Sequence, residues 1–271
     1  MAYRRFEGVD HTAKYARYRP MWPSHVVERV LSYLEEKLPA PHDRAVDVGC
    51  GSGQFTQLLA PHFNHVTGID VSDNQIQEAR KMNQCKNIQY SSGPAETLPL
   101  NDHSVDLVTS ASAAHWFDLD KFYTEVDRVL KPNGCVALLG YPVRRTAVDA
   151  NPNGILLTQL LSDFDKLLVD ENCWEKGNFI SHDGYKDLLF PYSDFVRDDC
   201  LTLEYEATLD NFIGYLRSWS GYIKYMEKYP ESGILETLRD SMLKTLNMTS
   251  SEAKLNVKHN VFILLGRKPG P

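Results

Sequence analysis

Apolar residues in the first half of the chain alternate between two periods. Short β-branched runs at residues 44–48, 65–70, 88–90, 105–110 and 135–140 read as buried strands. Between them, apolar residues recur every three or four positions. Val26, Val27, Val30, Leu31, Leu34 and Leu38 predict a helix, with Ser24 as its N-cap and Pro39 as its stop. Phe55, Leu58, Leu59 and Phe63 predict a second helical face, and Ser72 with Gln75 a capping box for a third helix running to Met82. Phe122, Val126, Val129 and Leu130 predict a fourth over residues 119–130, stopped by Lys131-Pro-Asn-Gly134. Strands alternating with helices call for a parallel sheet with right-handed crossovers and ligands at the carboxyl ends of its strands.

Past Tyr141 the rhythm changes. Residues 143–195 carry helical stretches, clearest over 155–169, broken by Gly177, Gly184 and Pro191. Residues 199–205 read as a strand, Thr208 as the cap of a helix to Leu216, and 232–246 as another helix. Residues 257–267 close on Val261-Phe-Ile-Leu-Leu265, too apolar for a sheet edge. The pattern suggests one domain over 1–271: a lid and helix (1–40), a core (41–142), a helical cap with a sixth strand (143–256) and a last strand (257–267).

Composition narrows the function. A net charge of -7 argues against a protein that grips nucleic acid through clustered Lys and Arg. Five cysteines, odd in number and without CxxC pairs, suggest neither a disulfide framework nor a zinc site, and read as reduced thiols in the cytosol. The N-terminal residues lack the apolar core of a signal peptide, and no run is long enough to span a bilayer, so a cytoplasmic protein without membrane partners is expected. Asn247-Met-Thr249 fits a glycosylation sequon but carries little meaning without a secretory signal.

The candidate chemistry centres on Val46-Asp-Val-Gly-Cys-Gly-Ser-Gly53, where a strand runs into glycines at alternate positions. Such a turn lets backbone approach a ligand, and the helix after it points free N–H groups the same way. The spacing is neither GxGxxG nor GxxxxGK[ST], which leaves a nucleoside without pyrophosphate. Asp70 ends the second strand about 20 residues on, where an acid accepts ribose hydroxyls. The alternative for Asp70 is a solvated acid or a cap, but position, strand context and spacing coincide. Asp47 lies inside a strand, where a charge costs unless it is paired; it could order the turn or offset a positive ligand.

Together with Ala95-Glu96, Val105-Asp-Leu-Val108 and Arg128-Val-Leu-Lys-Pro-Asn-Gly134, this stretch resembles the class I S-adenosylmethionine-dependent methyltransferases over about residues 40–142. The resemblance implies a three-layer αβα Rossmann-like α/β fold with a seven-stranded, mostly parallel sheet of order 3-2-1-4-5-7-6 and a helical cap insertion. It implies S-adenosylmethionine as donor, S-adenosylhomocysteine as product, and no metal. Gly49 to Gly53, with Cys50 and Gly51 between, would line the amino-acid and ribose moieties, Asp70 would bind the ribose hydroxyls, Ala95 and Glu96 would flank the adenine, and His115 and Trp116 would stand near the sulfonium, with Asp47, Val71 and Ser112 also counted as cofactor-binding.

Tyr15-Ala-Arg-Tyr-Arg-Pro-Met-Trp-Pro23, Ala114-His-Trp-Phe-Asp118 and Tyr215-Leu-Arg-Ser-Trp-Ser-Gly-Tyr222 are similar to the trans-aconitate methyltransferase-like branch, which methylates small molecules including carboxylic acids. Trp22 departs from it, standing where a tyrosine is expected. The likeness implies a lid from Tyr15, Tyr18, Arg19 and Trp22, and substrate walls from Tyr141, Trp219 and Ser220. Both Trp219 and the His115-Trp116 pair read equally as core. Arg144 and Arg145 could fork a carboxylate, although such a pair is more often a solvated face.

The implied partner is a small acceptor, a carboxylic acid by preference, with no nucleic acid; the oligomeric state is open. A carboxylate, with a pKa near 4, is ionised at pH 7 and needs no base, so catalysis would be positional. A phenol or amine would need one, and His115 is the candidate catalytic residue. The competing readings are a cofactor-binding partner protein without catalysis and a methyltransferase acting on a protein or other macromolecule. Against base-amine transfer, Ser112-Ala-Ala-His115 stands where an Asn-Pro-Pro-Tyr or Asp-Pro-Pro-Tyr signature would lie.

Overall fold

The computed structural model describes residues 18–143, 146–149, 153–249 and 253–270. Helix α1 (Ser24–Glu35) turns Val26, Val27, Val30 and Leu34 onto the sheet. Pro23 occupies its N-cap without a side-chain bond, so Ser24 is the first helical residue and not the cap. Strands β1 (His42–Val48), β2 (Phe63–Asp70), β3 (Ile88–Ser92), β4 (Val105–Ala111) and β5 (Leu130–Gly140) form the parallel part of the sheet.

Between these strands lie α2 (Gln54–Leu59), α3 (Asp73–Met82) and α4 (Leu119–Val129). The expected second helical face is cut short: α2 has 6 residues, a 3-10 turn covers Ala60–His62, and Phe63 already belongs to β2. Pro61 causes this, because it removes a backbone donor where a further helical turn would need one. Ser72 accepts from the Gln75 N–H as expected. Its own N–H goes to Asp70, leaving half of the anticipated capping box.

The second half contributes β6 (Ala147–Asp149), α5 (Gly154–Asp170), α6 (Lys176–His182), β7 (Asp194–Thr208), α7 (Leu209–Arg217), α8 (Ser220–Lys228), α9 (Ile234–Leu246) and β8 (Lys254–Arg267). The sheet runs β3-β2-β1-β4-β5-β8-β6, with β7 on the other edge of β8. The last strand lies antiparallel between β5 and β7, as the resemblance implied. The sheet has eight strands and not seven, because three-residue β6 pairs with residues 256–258 of β8 beyond the end of β5. A strand that short carries no readable period.

Helices α1, α2 and α3 cover one face of the sheet. Helix α4 and residues 185–192 cover the other, with Phe122, Val126 and Val129 fully buried. A separate apolar cluster joins α5, α7, α8 and α9 to the first residues of β8 and forms the cap. At the amino ends of the strands, buried Asp106 accepts the N–H groups of Asp43 and Arg44, each at 2.7 Å, and pairs with Lys131 at 2.7 Å. Arg128 binds Glu125, Asp102 and the carbonyls of Leu98 and Leu100, fixing the loop after β3. These motif residues hold the frame. The opposite ends of the strands are left to the site.

Candidate active site

The turn between β1 and α2 is pinned to the neighbouring strand. The N–H groups of Gly49 and Cys50 both reach the Ile69 carbonyl, at 2.7 and 3.0 Å. Gly49 and Gly51 have φ of +69° and +54°, the left-handed region that side chains disfavour. At Gly49 a Cβ would also fall 2.4 Å from that of Ala113, so the strand-end loops approach closely only because it is absent. At Gly51 a Cβ would meet only Gln75 Oε1, 3.8 Å away, which leaves that stretch of backbone open to the cleft.

Asp70 faces this turn. Its Oδ2 accepts the Gly51 N–H and its Oδ1 the Ser72 N–H, each at 2.9 Å. Burial pushes its carboxyl above the usual carboxylate range against those backbone donors. Each oxygen keeps a second lone pair, so the carboxylate can still accept a pair of hydroxyls. Asp47 is fully buried, with Oδ2 on Thr56 at 2.7 Å and Oδ1 on Thr109 at 2.8 Å. It therefore ties the turn to α2 and β4. Burial raises it to about 6, the two hydroxyls opposing and the Asp70 charge adding.

One cleft of about 1130 Å³, its mouth included, is lined by Asp47, Gly49, Cys50, Gly51, Asp70, Val71, Ala95, Glu96, Ser112 and Trp116. These ten are the lining positions that the sequence marks for the cofactor; Ser52, Gln54, Phe55, Gly93, Pro94 and Phe117 also line the cleft and are not among them. Gly53 is not in the lining: its missing Cβ makes room for the Tyr90 hydroxyl, 2.3 Å from where a Cβ would lie. Glu96 Oε1 accepts the Asp118 N–H at 2.9 Å and so joins the loop after β3 to the one after β4. Trp22 closes one side, its ring 5.7 Å from Phe55 and 5.5 Å from Tyr141. Sequence reasoning missed Gln75, seen only as a cap partner. Its Oε1 and the Ser112 Oγ are buried without partners among the described residues, and both residues border the cleft. Ser112 holds φ +69° to get there.

A second, smaller chamber shares Arg19, Ser112, Trp116 and Tyr141 with the cleft and adds His115, Trp219 and Ser220, together with Trp174, Asn178, Ser181 and His182. His115 thus belongs to the chamber and not to the cleft wall. Arg19 Nη1 donates to the Tyr141 hydroxyl at 3.5 Å, and the guanidinium lies 5.3 Å from the Tyr215 ring centre. Tyr18 lines neither space; its ring packs on Gly214, where a Cβ would come within 2.7 Å. Tyr15, Arg144 and Arg145 lie outside the described residues. Helix α6, which supplies Asn178, Ser181 and His182, has 7 residues and showed no period, so this wall was not legible.

The methyltransferase-domain family matches residues 46–138, the glycine turn and the four strand ends around it. Over nearly its whole length the chain is similar to a Dictyostelium discoideum protein named as a methyltransferase, 30% identical over 255 residues that cover 94% of this chain and 92% of that one. The chain belongs to the class I S-adenosylmethionine-dependent methyltransferases. A Saccharomyces cerevisiae protein, named as an S-adenosylmethionine-dependent methyltransferase, is 24% identical, with 95% of each chain covered. A solved Anaeromyxobacter dehalogenans structure, named as a type II methyltransferase, superposes with a TM-score of 0.75 at 29% identity, covering 94% of this chain and all of that one.

The methyltransferase site fits its cofactor on its own chemistry. A backbone cradle without side chains, an acid with lone pairs to spare and two orphaned polar atoms at the cleft are what a polar nucleoside ligand completes. Among the described residues of this methyltransferase, no cluster of three metal-ligating side chains occurs, and no helix is long and apolar enough to cross a membrane.

Proposed function

We propose that this methyltransferase methylates an oxygen of a small carboxylate, the chemistry of the trans-aconitate-like branch. The observation that carries the reading is the difference in charge between the two spaces. The cleft holds Asp47, Asp70 and Glu96; Arg19 borders both spaces, and the chamber adds two histidines and, among the described residues, no carboxylate. A cationic donor suits the first and an anionic acceptor the second. An amine acceptor, charged at pH 7, would meet a guanidinium and, among the described residues lining the chamber, no carboxylate.

In this reading Asp70 accepts the ribose hydroxyls, the backbone from Gly49 to Gly51 lies along the amino-acid moiety, and Ala95 and Glu96 flank the adenine. Gln75 Oε1 and Ser112 Oγ take the remaining polar groups. S-adenosylmethionine supplies a methyl group on a sulfonium. An ionised carboxylate oxygen would need no proton removed before accepting that methyl group, so no residue of the chamber is asked to act as a base. Arg19 and the Tyr141 hydroxyl hold the carboxylate, and Trp22, Trp116 and Trp219 exclude water, so that the rate comes from alignment in an apolar setting. The reading covers the chain as one domain, with the cap closing the chamber.

Replacing the cation separates the two binding events. Arg19→Gln should raise KM for an acid acceptor at least tenfold, the order expected for a lost charge-assisted hydrogen bond, with a much smaller change in S-adenosylmethionine affinity by calorimetry. Equal losses in both would place Arg19 on the cofactor and remove the basis for an anionic acceptor.

A further inference from the structure

Behind the chamber stands a buried tyrosine that sequence reasoning did not single out. Tyr185 follows α6 with φ +57° and is 1% exposed. Its ring is held edge-on by Phe262, centroids 4.8 Å apart, and reaches His115 across 70 positions of chain. The phenol oxygen accepts the backbone N–H of His115 at 3.3 Å and lies 2.8 Å from His115 Nδ1.

A phenol has one proton to give. With the backbone N–H already accepted, Nδ1 is the acceptor within reach of that proton. If Nδ1 itself carried a hydrogen, two donors would crowd the oxygen and the buried phenol proton would have no acceptor among the described residues. The arrangement that satisfies the phenol, the backbone N–H and Nδ1 together puts Tyr185 O–H on Nδ1 and the imidazole proton on Nε2.

We propose that Tyr185 is a positioning residue that holds His115 as the neutral Nε2–H tautomer, so that His115 donates a hydrogen bond to an already ionised acceptor oxygen and does not serve as a base. The inference rests on the chamber being the acceptor site. It reverses the role that His115 would have toward a phenol or amine. Among the described residues the charged or titratable groups around His115 are His182, Arg19, Tyr141 and Tyr185; burial lowers the His115 pKa most, and His182 and Arg19 add to it. Burial pushes His115 down to about 3 and keeps the Tyr185 phenol protonated well above neutrality. The pair therefore does not titrate across the physiological range.

Long-range proton–nitrogen NMR on the protein saturated with S-adenosylhomocysteine tests this without an acceptor. The His115 signals are assigned by their loss in His115→Gln. The wild type should show a protonated Nε2 and a bare Nδ1 from pH 5.5 to 8.5, and Tyr185→Phe should populate the Nδ1–H form. A wild-type Nδ1–H tautomer or an imidazolium overturns the proposal, as does a Tyr185→Phe spectrum unchanged from wild type; if that variant fails to fold, the wild-type spectrum decides. With an acid and a phenol as acceptors, Tyr185→Phe should lower kcat/KM for the acid at least tenfold relative to the phenol. Failure of every acid to turn over would reject the acceptor reading while leaving the tautomer measurement standing.

Discussion

At the scale of single residues, Asp47 and Asp70 show how position divides one chemistry into two tasks. Both are acids at the carboxyl ends of neighbouring strands, and both are raised by burial. Asp70 is met by backbone donors and faces the cleft, whereas Asp47 is consumed by two threonine hydroxyls and braces the turn. Asp47 has a measurable consequence. Its folded pKa of about 6 exceeds the unfolded value, so its contribution to stability is fully present below about pH 4 and is lost as pH rises through 6. A shift of about two units corresponds to about 3 kcal/mol. Asp47→Asn keeps an acceptor for one hydroxyl and carries no charge. Urea midpoints should therefore move in favour of the variant, by up to that amount, between pH 4 and pH 7.5; a difference independent of pH would show that Asp47 is not the buried acid described.

At the scale of elements, the joints are as informative as the strands. Arg267, 1% exposed at the end of β8, donates to the Tyr33 and Leu34 carbonyls in the last turn of α1 and pairs with Glu36 and Asp194. One guanidinium thereby caps α1 and fastens it to β7 and β8. Arg267→Met removes the donor to those two carbonyls and the cation beside Glu36, while Asp194 keeps Lys37 and the Tyr33 hydroxyl, and should cost about 1–3 kcal/mol in urea unfolding with little change in m-value. A loss below about 1 kcal/mol would mean that solvent replaces the cap. The same scale shows what the sequence could tell. Helices α4, α5 and α9 span three or more turns, enough for a period to emerge, and their limits were readable to within about two residues. Helix α6 and strand β6 are too short for that: α6 rests on a capping box between Glu175 and Asn178 and on Asn178 bonding Ser220, and β6 on three residues of β8. The glycine turn was legible because φ and close approach leave little choice of residue. The His115–Tyr185 contact was not, since nothing local in either segment points to the other.

For the whole molecule, β8 joins the core to the cap. Its last residues pair with β5, its first with β6, and β7 runs along it throughout. The cap cluster therefore shares a continuous strand pair with the sheet, and core and cap should unfold together. Trp22 lies in the core, and Trp174 and Trp219 in the cap. Fluorescence and far-UV circular dichroism should give one coincident transition, and an earlier fluorescence midpoint would reveal a separately melting cap.

Three carboxylates line the cleft and, among the described residues, none lines the chamber, with Arg19 bordering both; on that difference the proposed function rests. The most direct measurement is release of S-adenosylhomocysteine by the purified protein from S-adenosylmethionine, with matched small carboxylates, phenols, thiols and amines as acceptors. The account predicts turnover confined to or strongly favouring carboxylates, with the methyl ester identified by mass spectrometry. Preferential methylation of amines, or bound donor with no acid turned over, would contradict it.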